Sequence, residues 1–237
     1  IAIGDSAGQT NQGLGATSGT STIAIGNQAA QNNQGINSIA IGYQAGKTLQ
    51  GTNSVALGLQ SGSYSQGQFS VAIGYQTGQT NQGQNTVAMG YQAGSAAQGL
   101  NSISIGNQSG FTGQASNAVA IGTSAGYTQQ GINSIAIGFQ AGYDSQDNLS
   151  IAIGNQAGAN NQPQNTIILN ASGNELDGSS ENAFYVNPIR NDGSSSLVLY
   201  YNTTTSEITY SDAPTASIPA DIIANTLTIT GNSTLLS

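Results

Sequence analysis

The chain repeats itself every sixteen residues, and that period constrains its fold more than any other property. From Ile23 it reads IAIGNQAAQNNQGINS, then IAIGYQAGKTLQGTNS, then VALGLQSGSYSQGQFS. The unit begins again at Val71, Val87, Ile103, Val119, Ile135, Ile151 and, in degenerate form, Ile167. An earlier copy starts at Ile1 and carries a six-residue insertion around LGATSGTST. Short fixed periods of this kind fold as solenoids, each unit making one coil whose faces are buried by its neighbours.

The pattern inside the unit points to an all-β parallel β-roll, or β-solenoid, of 16-residue coils. Ser38 to Gly42 alternates small and large residues, the signature of a strand with two different faces. Gly42 and Gly46 mark bends. Gln44 to Thr48 is the expected return strand and Gln50 to Asn53 the second turn. Stacked at a rise of about 4.8 Å per coil, eleven coils make a rod roughly 50 Å long.

Equivalent positions then become ladders. Ile1, Ile23, Ile39 and Val55 through Ile167 form one aliphatic rail; Ile3, Ile25, Ile41, Ile73, Ile105, Ile137 and their equivalents form a second, two places on. Gln12, Gln34, Gln50, Gln82, Gln146 and Gln162 belong to an unbroken glutamine row. Each amide there is expected to bond the copies above and below.

The stretch IGYQAGKT (41–48) approaches a phosphate-binding loop, but its glycine spacing is one residue short. Lys47 also occupies a slot filled by Gln31, Ser63, Gln79, Ser95 or Phe111 in other copies, so the stretch is one copy of a structural repeat.

Composition narrows what such a rod can do. Lys47 and Arg190 are the only basic residues against ten acidic ones, a net charge of −8. That excludes nucleic-acid binding by counterion release and attraction to anionic membranes. No apolar run is long enough for a transmembrane helix, so no direct membrane insertion is expected. Cysteine is absent. The chain starts within a repeat and is expected to be an ordered piece of something longer. With only 37% hydrophobic residues, the coil has little core of its own. The two rails are therefore expected to face partner chains, with the small Ser, Ala and Gly residues inside a narrow roll; rails packed into the roll interior are the alternative that the sequence leaves open.

At NSIAIG (37–42 and 133–138) the chain resembles the head repeats of YadA-like trimeric autotransporter adhesins. The resemblance spans residues 1–169 and implies a parallel β-roll in which three chains associate side by side, hence a homotrimer. From Asn170 the character changes. Residues 181–214 show alternating strands at 183–186, 197–202 and 207–211, broken by Asp192-Gly193 and NTTTSE turns. This part, with the closing NTLTITGNSTLLS, resembles fibre proteins of large DNA viruses and phage-type tail fibres. The expected organisation is a solenoid head (1–169), a β-rich connector (170–214) and the start of a shaft or linker (215–237).

These readings converge on a non-enzymatic, extracellular fibre or adhesin segment, displayed on a virion or cell surface and presenting a repetitive attachment surface. No cofactor is expected. A bacterial adhesin head is the alternative carrier. A β-solenoid tailspike glycosidase needs paired carboxylates, and the repeat region offers only Asp5, Asp144 and Asp147. Asp144, Asp147 and Asn148 surround a turn that could hold Ca²⁺ weakly, but a solvated turn is the plainer reading. An ice-binding surface would want a regular threonine rank, which is interrupted here. The candidate attachment residues are aromatic and occur in two variable slots, one holding Tyr43, Tyr75, Tyr91 and Phe139, the other Phe111, Tyr127 and Tyr143. They suit sugar faces or an apolar patch on a host-cell protein. Packing between chains is the competing explanation. Five N-x-[ST] sequons stand at Asn107, Asn148, Asn170, Asn202 and Asn232.

Overall fold

In a computed structural model that describes residues 1–13, 21–190 and 197–212, the repeat region is a β-solenoid with two parallel faces. Within each coil, Ile39 and its equivalents occupy position 1 and Ser54 and its equivalents position 16. The first face is a twelve-stranded sheet built from positions 1–3, running from Ala2–Ile3 through Ile23–Ile25 and Ile39–Ile41 to Ile167–Asn170 and Phe184–Asn187. The second face is built from positions 10–12, at Thr10–Gln12, Asn32–Gln34, Thr48–Gln50, Tyr64–Gln66, Thr80–Gln82 and Ala96–Gln98. Single bridges continue it through Thr112, Thr128, Asp144 and Asn160. The return strand thus begins where the expected one ends: Gly42 to Gly46 form the bend, and Thr48 opens the second face.

Every coil pairs in register with the next, so that Ile39 lies against Ile23 and Val55. The insertion does not disturb this. Ala2 pairs with Ala24 and Gln12 with Gln34, a 22-residue offset on both faces, while residues 14–20 themselves lie outside the described residues.

The interior is made of small residues. Ala24, Ala40, Ala56, Ala72, Ala88, Ser104, Ala120, Ala136 and Ala152, all at position 2, are fully buried, as are Ala29, Ala45, Ala93 and their equivalents at position 7. The rails at positions 1 and 3 point outward, as expected: Leu57, Met89, Ile105 and Ile153 are 36–40% exposed. Large side chains inside would force the two sheets apart and break the short strand-to-strand span.

Glycine is obligatory at position 4. Gly74 has φ of +131°, and a Cβ there would lie 1.9 Å from the Gly90 carbonyl oxygen of the next coil. Non-glycine residues also take left-handed φ, at position 6 (Gln44, 55°), position 11 (Leu49, 57°) and position 15 (Asn53, 55°). Asparagine accepts that conformation more readily than most residues, which accounts for its abundance at the second turn. The same turn is tied by position 16, where the Ser54 hydroxyl donates to the Gly51 carbonyl at 2.6 Å and Ser134 to Gly131 at 2.7 Å.

The last coil differs. Ile168 replaces the interior alanine and is fully buried with Leu176 and Tyr185 packed on it, and the spacing lengthens so that Ile167 pairs with Phe184. The Tyr185 hydroxyl accepts the Ser179 and Ser180 amides at 3.1 and 3.0 Å, pinning the longer loop. This first compact unit covers Ile1–Ile189. The second, from Arg190, contains an antiparallel hairpin in which Leu197–Asn202 pairs with Glu207–Asp212. Asn202 Oδ1 closes its turn by accepting the Thr204 amide at 2.9 Å. Residues 213–237, including the expected shaft start, lie outside the described residues.

Candidate functional site: the outer faces of the roll

The glutamine row at position 12 points inward, and its partners are not the neighbouring amides. The side-chain nitrogens of Gln50, Gln82 and Gln146 donate to the carbonyl oxygens of Ile39, Val71 and Ile135 at 2.8, 3.0 and 2.9 Å. Each bond crosses the roll to the first residue of the same coil. The expected copy-to-copy ladder is limited here to Gln114 with Gln130 and Gln146 with Gln162. Across an interior this narrow, the opposite strand's carbonyl lies within amide reach of the side chain. Six of these glutamines keep a buried Oε1 with no partner.

The amide ladders that do run along the axis were not singled out by sequence. At position 6, Gln60 donates to Gln44, Gln76 to Gln60 and Gln92 to Gln76, each at 2.9 Å. At position 15, Asn85 donates to Asn101 and Asn101 to Asn117 at 3.0 and 3.1 Å. Left-handed φ at both positions turns the amides outward and in register. Identical Gln and Asn spacing was the available signal, but it does not separate inward from outward rows.

The seven aromatic candidates fall on two different surfaces. Where strands extend to position 5, as in Val71–Tyr75 and Val87–Tyr91, alternation carries Val71, Ile73 and Tyr75 to one outer side while Ala72 is buried. Tyr43, Tyr75, Tyr91 and Phe139 are therefore a third column beside the two rails, 40–50% exposed. Their backbone row is continuous: Tyr75 pairs with Tyr91, and the position-6 amides of Gln60, Gln92 and Gln156 bond the carbonyls of Tyr43, Tyr75 and Phe139. Phe111, Tyr127 and Tyr143 lie beyond the bend at position 9 and are half-buried.

Both sets stack. Tyr75 and Tyr91 have ring centroids 5.1 Å apart, and Phe111, Tyr127 and Tyr143 follow at 5.0 Å with planes within 6°. A ring inside such a stack has its faces covered by its neighbours, so it offers solvent an edge and a hydroxyl rather than a sugar-stacking platform. Beside the second stack run Thr112, Thr128 and Asp144, where the Thr128 hydroxyl donates to Asp144 Oδ1 at 2.5 Å.

Asp144 is thus engaged in the second face, and Asn148 Oδ1 accepts the Ile132 amide at 2.7 Å. Among the described residues no group of three His, Cys, Asp or Glu side chains could hold a metal ion. Glu175 sits near Asp177, whose hydrogen bond and charge raise its carboxyl above the usual range, while Asn160 pulls it the other way. Of the sequons, Asn107, Asn148 and Asn202 are exposed, whereas Asn170 is buried with its amide donating to the Asn155 and Asn174 carbonyls.

A family model described as the YadA head domain repeat matches residues 34–46, 50–77 and 82–109. The coils between residues 34 and 109 are thus similar to the YadA head repeat. The YadA-type coils have the same register as those on either side of them, since one sheet carries the pairing from Ala2 to Asn187. No curated protein and no solved structure matched significantly.

Proposed function

We propose that this chain is a non-enzymatic segment of a homotrimeric surface fibre, in which the first face of each roll packs against its partners and the rest of the rod is displayed for attachment. The observation that carries this reading is the outward direction of both aliphatic rails around an interior of alanine, serine and glutamine. A monomer would expose that whole apolar face to water, and contiguous exposure of this extent marks an association surface. The YadA head repeat supports the trimer and an extracellular, cell-surface setting. The resemblance of residues 181–237 to viral and phage fibres favours a virion as carrier.

Attachment belongs to surfaces the partners leave free. The half-buried stack of Phe111, Tyr127 and Tyr143 is the favoured part, with ring edges and hydroxyls beside the Thr112, Thr128 and Asp144 row for a host glycan or surface protein. Repetition along three chains would add avidity to weak single contacts.

Sedimentation of the 237-residue chain tests the assembly: a species three times the 23.8 kDa chain mass is expected, and a folded monomer at micromolar concentration overturns it. Ile73→Asp with Ile105→Asp should dissociate it, since both side chains leave the roll. Attachment is tested with Tyr127→Ser and Tyr143→Ser on host cells and a glycan array: binding per folded trimer should fall. Unchanged binding moves the receptor surface elsewhere.

A further inference from the structure

The rails pose a problem for any assembly of identical chains. Positions 1 and 3 are aliphatic in every coil from Ile23 to Ile153, so sliding one chain past another by a whole coil restores almost every rail contact. Uniform repetitive strands specify register weakly. The third column of the same face is not uniform. It reads Asn27, Tyr43, Leu59, Tyr75, Tyr91, Asn107, Thr123, Phe139, Asn155.

We propose that this position-5 column sets the axial register between copies of the chain. The inference rests on the assembly reading above, and the occupant of the face is a second copy of this chain. Two observations favour that occupant. The face holds no charged residue from Ile23 to Asn155, and only a surface with the same order of apolar and polar steps matches it at every coil. The area argument agrees. Two rails over about eleven coils make a strip roughly 50 Å by 7 Å, well short of the about 800 Å² per partner of a stable interface. The third column widens it to about 13 Å, which brings the flat area alone to the order of 650 Å².

In register, the apolar block from Tyr43 to Tyr91 meets its own equivalent, and Asn107 and Thr123 meet amide and hydroxyl partners. Slipped by one coil, Asn27 faces Tyr43 and Tyr91 faces Asn107, and slipped by two, Tyr75 faces Asn107 and Tyr91 faces Thr123, so polar groups are desolvated against rings without partners. A few polar positions in an otherwise repetitive apolar seam choose register in this way in coiled coils.

The absence of cysteine allows a direct readout. Chains carrying Ile105→Cys are refolded with chains carrying Ile137→Cys, two coils or about 10 Å away along the axis, and oxidised. With the native column, like-with-like disulfides should exceed 105–137 disulfides by about tenfold or more. Making the column uniform with Asn107→Tyr and Thr123→Tyr should bring the two classes within about threefold, with larger staggered species in sedimentation. A second uniform column, Asn107→Leu with Thr123→Leu, should erode the preference too, which keeps the test open if the first variant misfolds. Oligomers that keep the like-with-like excess in both variants overturn the register role and leave the assembly intact. A folded monomer from the native-column chains overturns both.

Discussion

The Gln50 side-chain amide donates to the Ile39 carbonyl at 2.8 Å, across the roll rather than along it. That bond joins the second face to the first within one coil, and its equivalents recur at Gln66, Gln82, Gln98 and Gln130. Gln82→Ala should remove both the bond and the atoms filling the interior, lowering stability by about 2–3 kcal/mol in denaturant unfolding. An unchanged midpoint would mean that the cross-roll bonds contribute little.

The coil that begins at Ile103 shows how the unpartnered Oε1 atoms can be satisfied. Ser104, in place of the interior alanine, donates to Gln114 Oε1 at 2.7 Å. Ala72→Ser should therefore supply the buried Gln82 Oε1 with a donor and raise stability by about 1 kcal/mol. Ser104→Ala should lower it by a similar amount. Thermal melts of both variants check the opposite signs.

Phe69 and Leu149 interrupt the asparagine row at position 15, each with left-handed φ (56° and 58°) and each 56% exposed. Phe69→Asn and Leu149→Asn should stabilise by about 1 kcal/mol each, relieving backbone strain and extending the amide ladder. A loss of stability would show that these side chains pack against something in the assembly.

Gly74→Ala should destabilise the rod by more than about 3 kcal/mol, because the new Cβ meets the Gly90 carbonyl and φ is unfavourable. Gly173→Ala is the control: a Cβ there meets nothing within 4 Å. Comparable melting of the two variants would refute the close stacking of the position-4 row.

Glu175 makes the last coil pH-sensitive. Its folded pKa is raised, chiefly by the Asp177 hydrogen bond, so its contribution is present below the ordinary carboxylate value and lost as pH rises through the raised one. Solvent exposure keeps the effect small and local. Hydrogen-exchange protection of the Leu176 and Gly158 amides, corrected for intrinsic rates, should decline from pH 4 to pH 7, and Glu175→Gln should abolish the decline.

The sixteen-residue period by itself determined the coil, its in-register stacking and the absorption of the insertion, since a parallel ladder can only align identical positions. Alternation at Ile39-Ala40-Ile41 likewise separated a face of small residues from a face of large ones, and only the structure decided that the small ones fill the roll. Only the tertiary structure decided what each amide row bonds. A period says which residues are equivalent, not which way they point. Direction is set by left-handed φ at positions 6, 11 and 15 and by the width of the interior. Those features place Gln44 beside Gln28 but aim Gln50 at Ile39. They also start the return strand at Thr48 and separate Tyr75, on the rail face, from Tyr127, beyond the bend. All of these follow from how the chain turns in three dimensions, which no count of residues along it contains.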